Sequence, residues 1–223
     1  MTYHIYLVRH GQTYLNRYNR MQGWCDSPLT PKGIQDGHKA GQRLAHIKFD
    51  LAFHSDTTRA TRTCKYILEE NVASPVIPTP TELRAFREQS YGYFEGSDSS
   101  QAWLMIGAAH DCRTFKEMIE KYSIEDTKDF AKQADPFHDA EDNAEYWQRV
   151  GAGFDYLDEV AKDGDNILLV SHGTTIRSIV HHFDPTVDIT VSPVNGSVTK
   201  LTVGAKRQVS VAYYNQIADD FAY

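Results

Sequence analysis

Two histidines in this chain stand in the same local context. His10 closes Ile5-Tyr6-Leu7-Val8-Arg9-His10-Gly11, and His172 closes Ile167-Leu168-Leu169-Val170-Ser171-His172-Gly173. Each follows a strand-like apolar run and is followed at once by glycine. In an open parallel sheet, ligands bind outside the carboxyl ends of the strands. If these two strands are neighbours, both imidazoles enter one crevice. Glycine after each lets the backbone approach a ligand and leaves N–H groups for an anion. One such pair alone would be an ordinary loop.

The surrounding residues sharpen the chemistry. Arg9 adjoins His10, and Arg59 follows a second apolar run in Ser55-Asp56-Thr57-Thr58-Arg59-Ala60. A guanidinium offers a planar fork for phosphate oxygens and keeps its charge. Taken alone, Arg59 reads as a solvated helix residue. Glu88, in an aromatic and glycine-containing loop, is the candidate proton donor to a leaving oxygen, with Glu95 and Glu82 as alternatives.

These residues need elements to hold them. His4–Val8 reads as a first strand. Thr30-Pro31 reads as a helix start running to about Ile47, with Gly33, Gly37 and Gly41 on one face, a spacing that predicts close packing of helix on sheet. Leu51–His54 reads as a strand, followed by a helix capped by Asp56 or Thr57 and ending near Glu70. Val76–Pro78 and Glu82–Phe86 read as short extended segments. Asp142–Lys162 is an amphipathic helix with Tyr146, Val150, Phe154, Leu157 and Val160 on one stripe. Asn166–Val170 reads as a buried strand and Thr174–Phe183 as a helix. Ser197–Val203 and Gln208–Tyr214 form a hairpin turning at Gly204. The alternation predicts one three-layer α/β/α sandwich over 1–223 with a mainly parallel central sheet. A helical cap insertion is expected at about 97–140.

Together the motifs carry a resemblance. Leu7-Val8-Arg9-His10-Gly11-Gln12-Thr13 with Asn16, then Gln22-Gly23-Trp24 and Asp26-Ser27-Pro28-Leu29-Thr30 with Gly33, closely resemble the histidine phosphatase superfamily in its phosphoglycerate-mutase-like branch. Ser55 with Arg59-Ala60 and Thr63, Glu88 with Tyr91-Gly92 and Glu95-Gly96, and Ser171-His172-Gly173 follow in the family's order. The match covers 3–96 and 166–200. The acid-phosphatase and phytase branch differs after its own Arg-His-Gly. The resemblance implies that His10 attacks phosphorus as a neutral imidazole, giving a covalent intermediate. It also implies that Arg9, Arg59 and His172 surround the phosphoryl oxygens, that Glu88 protonates the leaving oxygen and later activates water, and that Asn16, Gln22 and Gly173 touch phosphate or substrate. Thr13 is expected to be structural or peripheral. No metal or other cofactor is implied, since arginine and histidine supply the positive charge.

Composition bounds the alternatives. The 223 residues are 41% hydrophobic and 24% charged, with a formal charge of −7. No apolar run is long enough to span a bilayer, and the first residues lack the pattern of a secretory signal, so a cytoplasmic location and no membrane partner are expected. Ser97–Trp147 holds twelve Asp/Glu against five Lys/Arg, the whole charge excess, and no basic stripe suits nucleic acid. Cys25, Cys64 and Cys112 are odd in number and widely spaced, which argues for free thiols. His181-His182 and His110-Asp111-Cys112 invite a metal reading, but adjacent helical residues point about 100° apart. In the family's mutases, basic residues in an insertion after the Tyr-Gly motif bind the substrate carboxylate. The acidic segment here lacks that pattern and is expected to disfavour a small, highly charged acid. Phosphomonoester hydrolysis is therefore the leading expectation, with mutase-type transfer and a non-catalytic phosphate-binding module as alternatives. The expected partner is a small phosphorylated substrate. A homodimer through the C-terminal hairpin and tail is compatible with the sequence.

Overall fold

The computed structural model describes all residues, 1–223. Its sheet is organised by the two most apolar strands, β1 (Tyr3–Arg9) and β4 (Asn166–Ser171). Strand side chains alternate between faces, and here both faces are buried. Ile5, Leu7, Ile167 and Leu169 point into one core with Tyr146, Phe154, Leu157 and Ile179. Tyr6, Val8, Leu168 and Val170 point into another with Ala40, Leu44, Cys64 and Ile67. A strand buried on both sides must be apolar at nearly every position, which explains the uninterrupted runs.

The remaining elements complete three layers. On one face lie α2 (Pro31–Arg43) and α3 (Thr58–Glu69), which follow the four-residue α1 (Tyr14–Arg17). On the other lie α7 (Asn143–Val160) and α8 (Gly173–Phe183). With β2 (Leu51–His54), β3 (Thr81–Glu82), β5 (Val198–Val203) and β6 (Val209–Gln216), the strand order is β3-β2-β4-β1-β5-β6. The pairings from β3 to β1 are parallel, and β5 and β6 are antiparallel. The expected α/β/α sandwich is therefore present.

Several local expectations shift. The α2 helix stops at Arg43, where Leu44 leaves helical geometry. Its glycine face packs on helix, not on sheet: a Cβ on Gly37 would lie 3.1 Å from Tyr66 of α3, and one on Gly41 would lie 2.8 Å from the Ile67 carbonyl oxygen. Gly33, at the start of the same face, meets the Gln12 carbonyl of the loop after His10. Val76–Pro78 joins no strand, and Arg84–Phe86 is a 3₁₀ turn. The α7 helix is fixed at its start by a capping box between Asp142 and Glu145.

Between β3 and α7 in the chain, the helices α4 (Ser99–Gly107), α5 (Phe115–Lys121) and α6 (Ile124–Ala134) form a cap. It gathers a separate apolar cluster of Ala102, Ile106, Cys112, Met118, Phe130 and Ala131 with Met21, Tyr91 and Phe94. One residue of α6 runs against burial rules. Lys128 is fully buried, its Nζ donating 3.0 Å to the Ile124 carbonyl and lying 4.7 Å from the Tyr146 ring centroid, without a paired carboxylate.

Burial lowers the Lys128 ammonium from 10.5 to about 8. The unfolded chain therefore binds this proton more tightly than the folded one, and wild-type stability rises as pH climbs between those values. Lys128→Met, which fills the same space without a charge, should raise Tm at pH 7. That advantage should be full below pH about 8 and shrink toward pH 10.5. Thermal melts of both proteins across this range check it.

Candidate active site

Pairing register places the two histidines together. Arg9 lies opposite Ser171 across the parallel β1–β4 pair, so His10 and His172 are the next residues on adjacent strands. Their ring centroids are 5.1 Å apart and both side chains are buried. His10 Nδ1 lies 2.8 Å from the Gly11 carbonyl oxygen. A carbonyl only accepts, so Nδ1 carries the proton and Nε2 keeps the lone pair. Burial, then Arg59 and Arg9, hold the His10 imidazole well below its usual 6.5. His172 is depressed for the same first reason, with Arg59, His10, Arg149 and Arg9 adding to it. A buried neutral imidazole with a free Nε2 is a competent nucleophile.

The arginines are held differently. Arg9 donates through Nη1 to the Pro193 carbonyl, and its Nε has no partner. A Cβ on Gly173 would lie 3.3 Å from that Nε, so glycine there lets the guanidinium lie against the first turn of α8. Arg59 is fully buried, not solvated. Its fork is bound to the Gly23 carbonyl (2.7 Å), the Cys25 carbonyl (2.8 Å) and Asp26 (2.9 Å). Its Nε is unpartnered and Nη2 makes a single bond, so Nε–H and one Nη2–H are left to offer an anion.

The same loop is gripped from its other side by Glu95. This carboxylate accepts from the backbone N–H groups of Gly23 (3.0 Å), Trp24 (2.8 Å), Cys25 (3.1 Å) and Tyr91 (2.9 Å). Residues 23–25 thus give their N–H groups to Glu95, while the Gly23 and Cys25 carbonyls bind Arg59. Glu95 is a clamp and does not line the cavity, and Glu82 sits exposed in β3.

Glu88 is buried at the cavity and docked on the N-terminus of α8. Its Oε2 accepts from Thr174 N (2.9 Å), and its Oε1 accepts from Thr175 N (2.9 Å), Thr175 Oγ1 (3.0 Å) and Gln89 N (3.1 Å). The Thr174 and Thr175 N–H groups at this helix start are therefore used by Glu88 and are not free for a ligand. With one partner, Oε2 retains a lone pair for a proton. Gln22 lines the cavity with its Nε2 unpartnered and its Oε1 accepting from Thr13. Asn16 also lines it and shares a capping box with Thr13 at the start of α1.

Sequence reasoning missed several neighbours. Asn195 donates 2.8 Å to the His10 carbonyl and lines the cavity. Arg177 is buried, bonded to the Ile189 and Thr190 carbonyls, and stacked over Phe115 of the cap. Arg149 spans Glu141 and the backbone of Ala85, Arg87 and Glu88. Arg177 lies one helical turn after Gly173-Thr174, a signal that was available. Asn195 had none, because it reaches the site through an irregular loop.

The cavity holds about 570 Å³. From the cap it is lined by Ser99, Ser100, Trp103, Arg113, Thr114 and Phe115, and no acidic side chain of 97–147 reaches it. Glu88 is the one carboxylate in a lining that includes Arg9, Arg20, Arg113 and Arg177. This removes the ground for expecting the acidic segment to disfavour a small, highly charged acid. Those carboxylates are engaged elsewhere: Asp135 with four backbone N–H groups, Glu141 with Arg149, and Asp142 and Glu145 with Lys132. His181 pairs with Glu125, His182 packs on Trp147, and no three His, Cys, Asp or Glu side chains converge as metal ligands. No helix is long and apolar enough to cross a membrane.

A buried pair of imidazoles thus meets at adjacent strand ends, framed by arginine and a helix-docked glutamate. The chain belongs to the histidine phosphatase superfamily (branch 1), whose sequence profile matches residues 5–216. The 2,3-bisphosphoglycerate-dependent phosphoglycerate mutase of Cytophaga hutchinsonii is 29% identical over 206 residues, covering 90% of this chain and 84% of that protein. The crystal structure of a phosphoglycerate mutase from Bacillus anthracis superposes with a TM-score of 0.89 at 32% identity, covering 98% of this chain and 95% of that one. A mycobacterial glucosyl-3-phosphoglycerate phosphatase shares the fold, with a TM-score of 0.71 at 20% identity over 95% of this chain and 98% of that one.

Because both imidazoles are held below 6.5, they stay neutral on acidification while the unfolded chain takes up protons. Stability should therefore fall as pH drops below about 6.5, while kcat/KM shows no imidazole inflection at that pH. Melting curves and a pH–rate profile check both. Glu95→Gln, which places an amide against N–H donors, should lower kcat/KM by roughly 10- to 100-fold through loosened Arg59, equivalent to about 1.4–2.7 kcal/mol. Steady-state kinetics beside a thermal melt checks this.

Proposed function

We propose that this enzyme hydrolyses phosphomonoesters through a phosphohistidine on His10. The lone pair of His10 Nε2 attacks phosphorus and the ester P–O bond breaks. The leaving oxygen takes a proton from Glu88, and an N–P bond now holds the phosphoryl group. Arg9, the Arg59 Nε–H and His172 offset the charge on its oxygens. Water then attacks phosphorus, gives a proton back to Glu88, and releases phosphate from Nε2. The balance is ester plus water to alcohol plus phosphate.

The observation that carries this reading is the cavity. At about 570 Å³ it exceeds the needs of a three-carbon phosphoacid and leaves room for water beside a larger leaving group. Arg20, Arg113 and Arg177 suit a substrate with a second anionic group. A second reading, mutase-type transfer, is favoured by those same arginines and by the relatives that are phosphoglycerate mutases. The two differ in what accepts the phosphoryl group from His10.

The test uses wild type and His10→Ala with p-nitrophenyl phosphate and a panel of phosphomonoesters in EDTA. It adds 3-phosphoglycerate, with and without 2,3-bisphosphoglycerate. Wild-type hydrolysis should exceed interconversion of the phosphoglycerates. His10→Ala should lose roughly four orders of magnitude or more. Interconversion that matches or beats hydrolysis would replace the first reading with the second, and equal rates for the two proteins would remove His10 as nucleophile.

A further inference from the structure

His172 is fully buried, and its two ring nitrogens are treated unequally. Nε2 lies 2.7 Å from Ser55 Oγ, while Nδ1 has no partner in the protein. Ser55 is itself fully buried at the end of β2, tied to β4 by its N–H on the Val170 carbonyl. Its hydroxyl has one further neighbour, Thr57 Oγ1 at 3.1 Å. Thr57 holds the N-cap position of α3, where a threonine hydroxyl ordinarily accepts a helix N–H. Here it makes no capping bond and is turned onto Ser55 instead.

The proton count fixes the direction of this chain. A buried hydroxyl proton needs an acceptor, and Ser55 Oγ is the one partner that Thr57 Oγ1 has. Thr57 therefore donates to Ser55. The Ser55 proton then goes to its remaining neighbour, His172 Nε2, which must accept it through a lone pair. A neutral imidazole that accepts at Nε2 carries its hydrogen on Nδ1. Burial and the nearby arginines keep His172 from taking a second proton.

We infer that Ser55, backed by Thr57, is a positioning residue that sets the tautomer of His172, so that Nδ1–H is available to a phosphoryl oxygen. The opposite tautomer would turn a lone pair toward that oxygen and repel it. The inference rests on the reading of His172 as a donor to the phosphoryl group, and it is indifferent to whether water or a second alcohol accepts that group from His10.

The test is ¹⁵N NMR of histidine-labelled protein, with the His172 ring assigned by difference from His172→Gln, free and with orthovanadate. Wild type should show Nδ1 protonated and Nε2 as the bare nitrogen in both states. Ser55→Ala should move the population toward Nε2–H and lower kcat by about 10- to 100-fold with little change in KM, the usual scale for a residue that orients another. Thr57→Val, which keeps the Ser55 hydroxyl but removes its donor, should shift both readouts in the same direction by less, and it serves if Ser55→Ala fails to fold. Nε2–H in vanadate-bound wild type would overturn the inference, as would an unchanged tautomer in a folded Ser55→Ala. Should wild type show Nδ1–H yet form no phosphoenzyme with any donor, the assignment to Ser55 stands and the phosphoryl-transfer reading falls.

Discussion

Everything at this site depends on the register of one parallel strand pair. With Arg9 opposite Ser171, the residue after each strand is a histidine, and the two rings meet at 5.1 Å. A slip of one residue would turn every side chain of the strand to the other face, and side chains packed in one core would have to fit the other. The side chains of both strands are packed into the two cores, so the packing that stabilises the sandwich also holds the two histidines together. Precision at the histidines comes from the core and needs no special strain.

A second organising device is a loop shared between opposite charges. Residues 23–25 give N–H groups to Glu95 and carbonyls to Arg59. Each ion is solvated by backbone dipoles instead of by water, which is what a buried charge requires. The consequence is functional. Arg59 stands beside the imidazoles with three of its five N–H donors occupied, so its attraction acts from a fixed place.

The histidines, arginines and Glu88 were legible because each lies beside an element end marked by local sequence: an apolar run, a cap, a glycine. Their roles in turn came from the resemblance carried by the motifs. Ser55 and Asn195 were less legible. Ser55 follows a strand in plain view, but its value comes from β2 pairing beside β4 and from Thr57 abandoning its cap. Asn195 reaches the His10 carbonyl from 185 residues away. The glycine face of α2 was visible as a spacing, yet its partner is α3 and not the sheet, because periodicity marks a contact face without naming what covers it. The same holds for charge. A net acidic segment does not say which of its residues face the cavity, and here Arg113, in the loop before α5, is one that does.

The cap has an apolar cluster of its own, and its Ile124, Phe115 and Ile119 also enter the main core, but the polar cap residues at the cavity belong to neither. Substitutions that do not touch a common partner add nearly independently in their effect on stability. Changes at Ser99, Ser100 or Arg113 are therefore insulated from the register that aligns the imidazoles. Such a division favours diversification: the walls of the cavity can drift toward new leaving groups while the strand ends beneath them stay as they are.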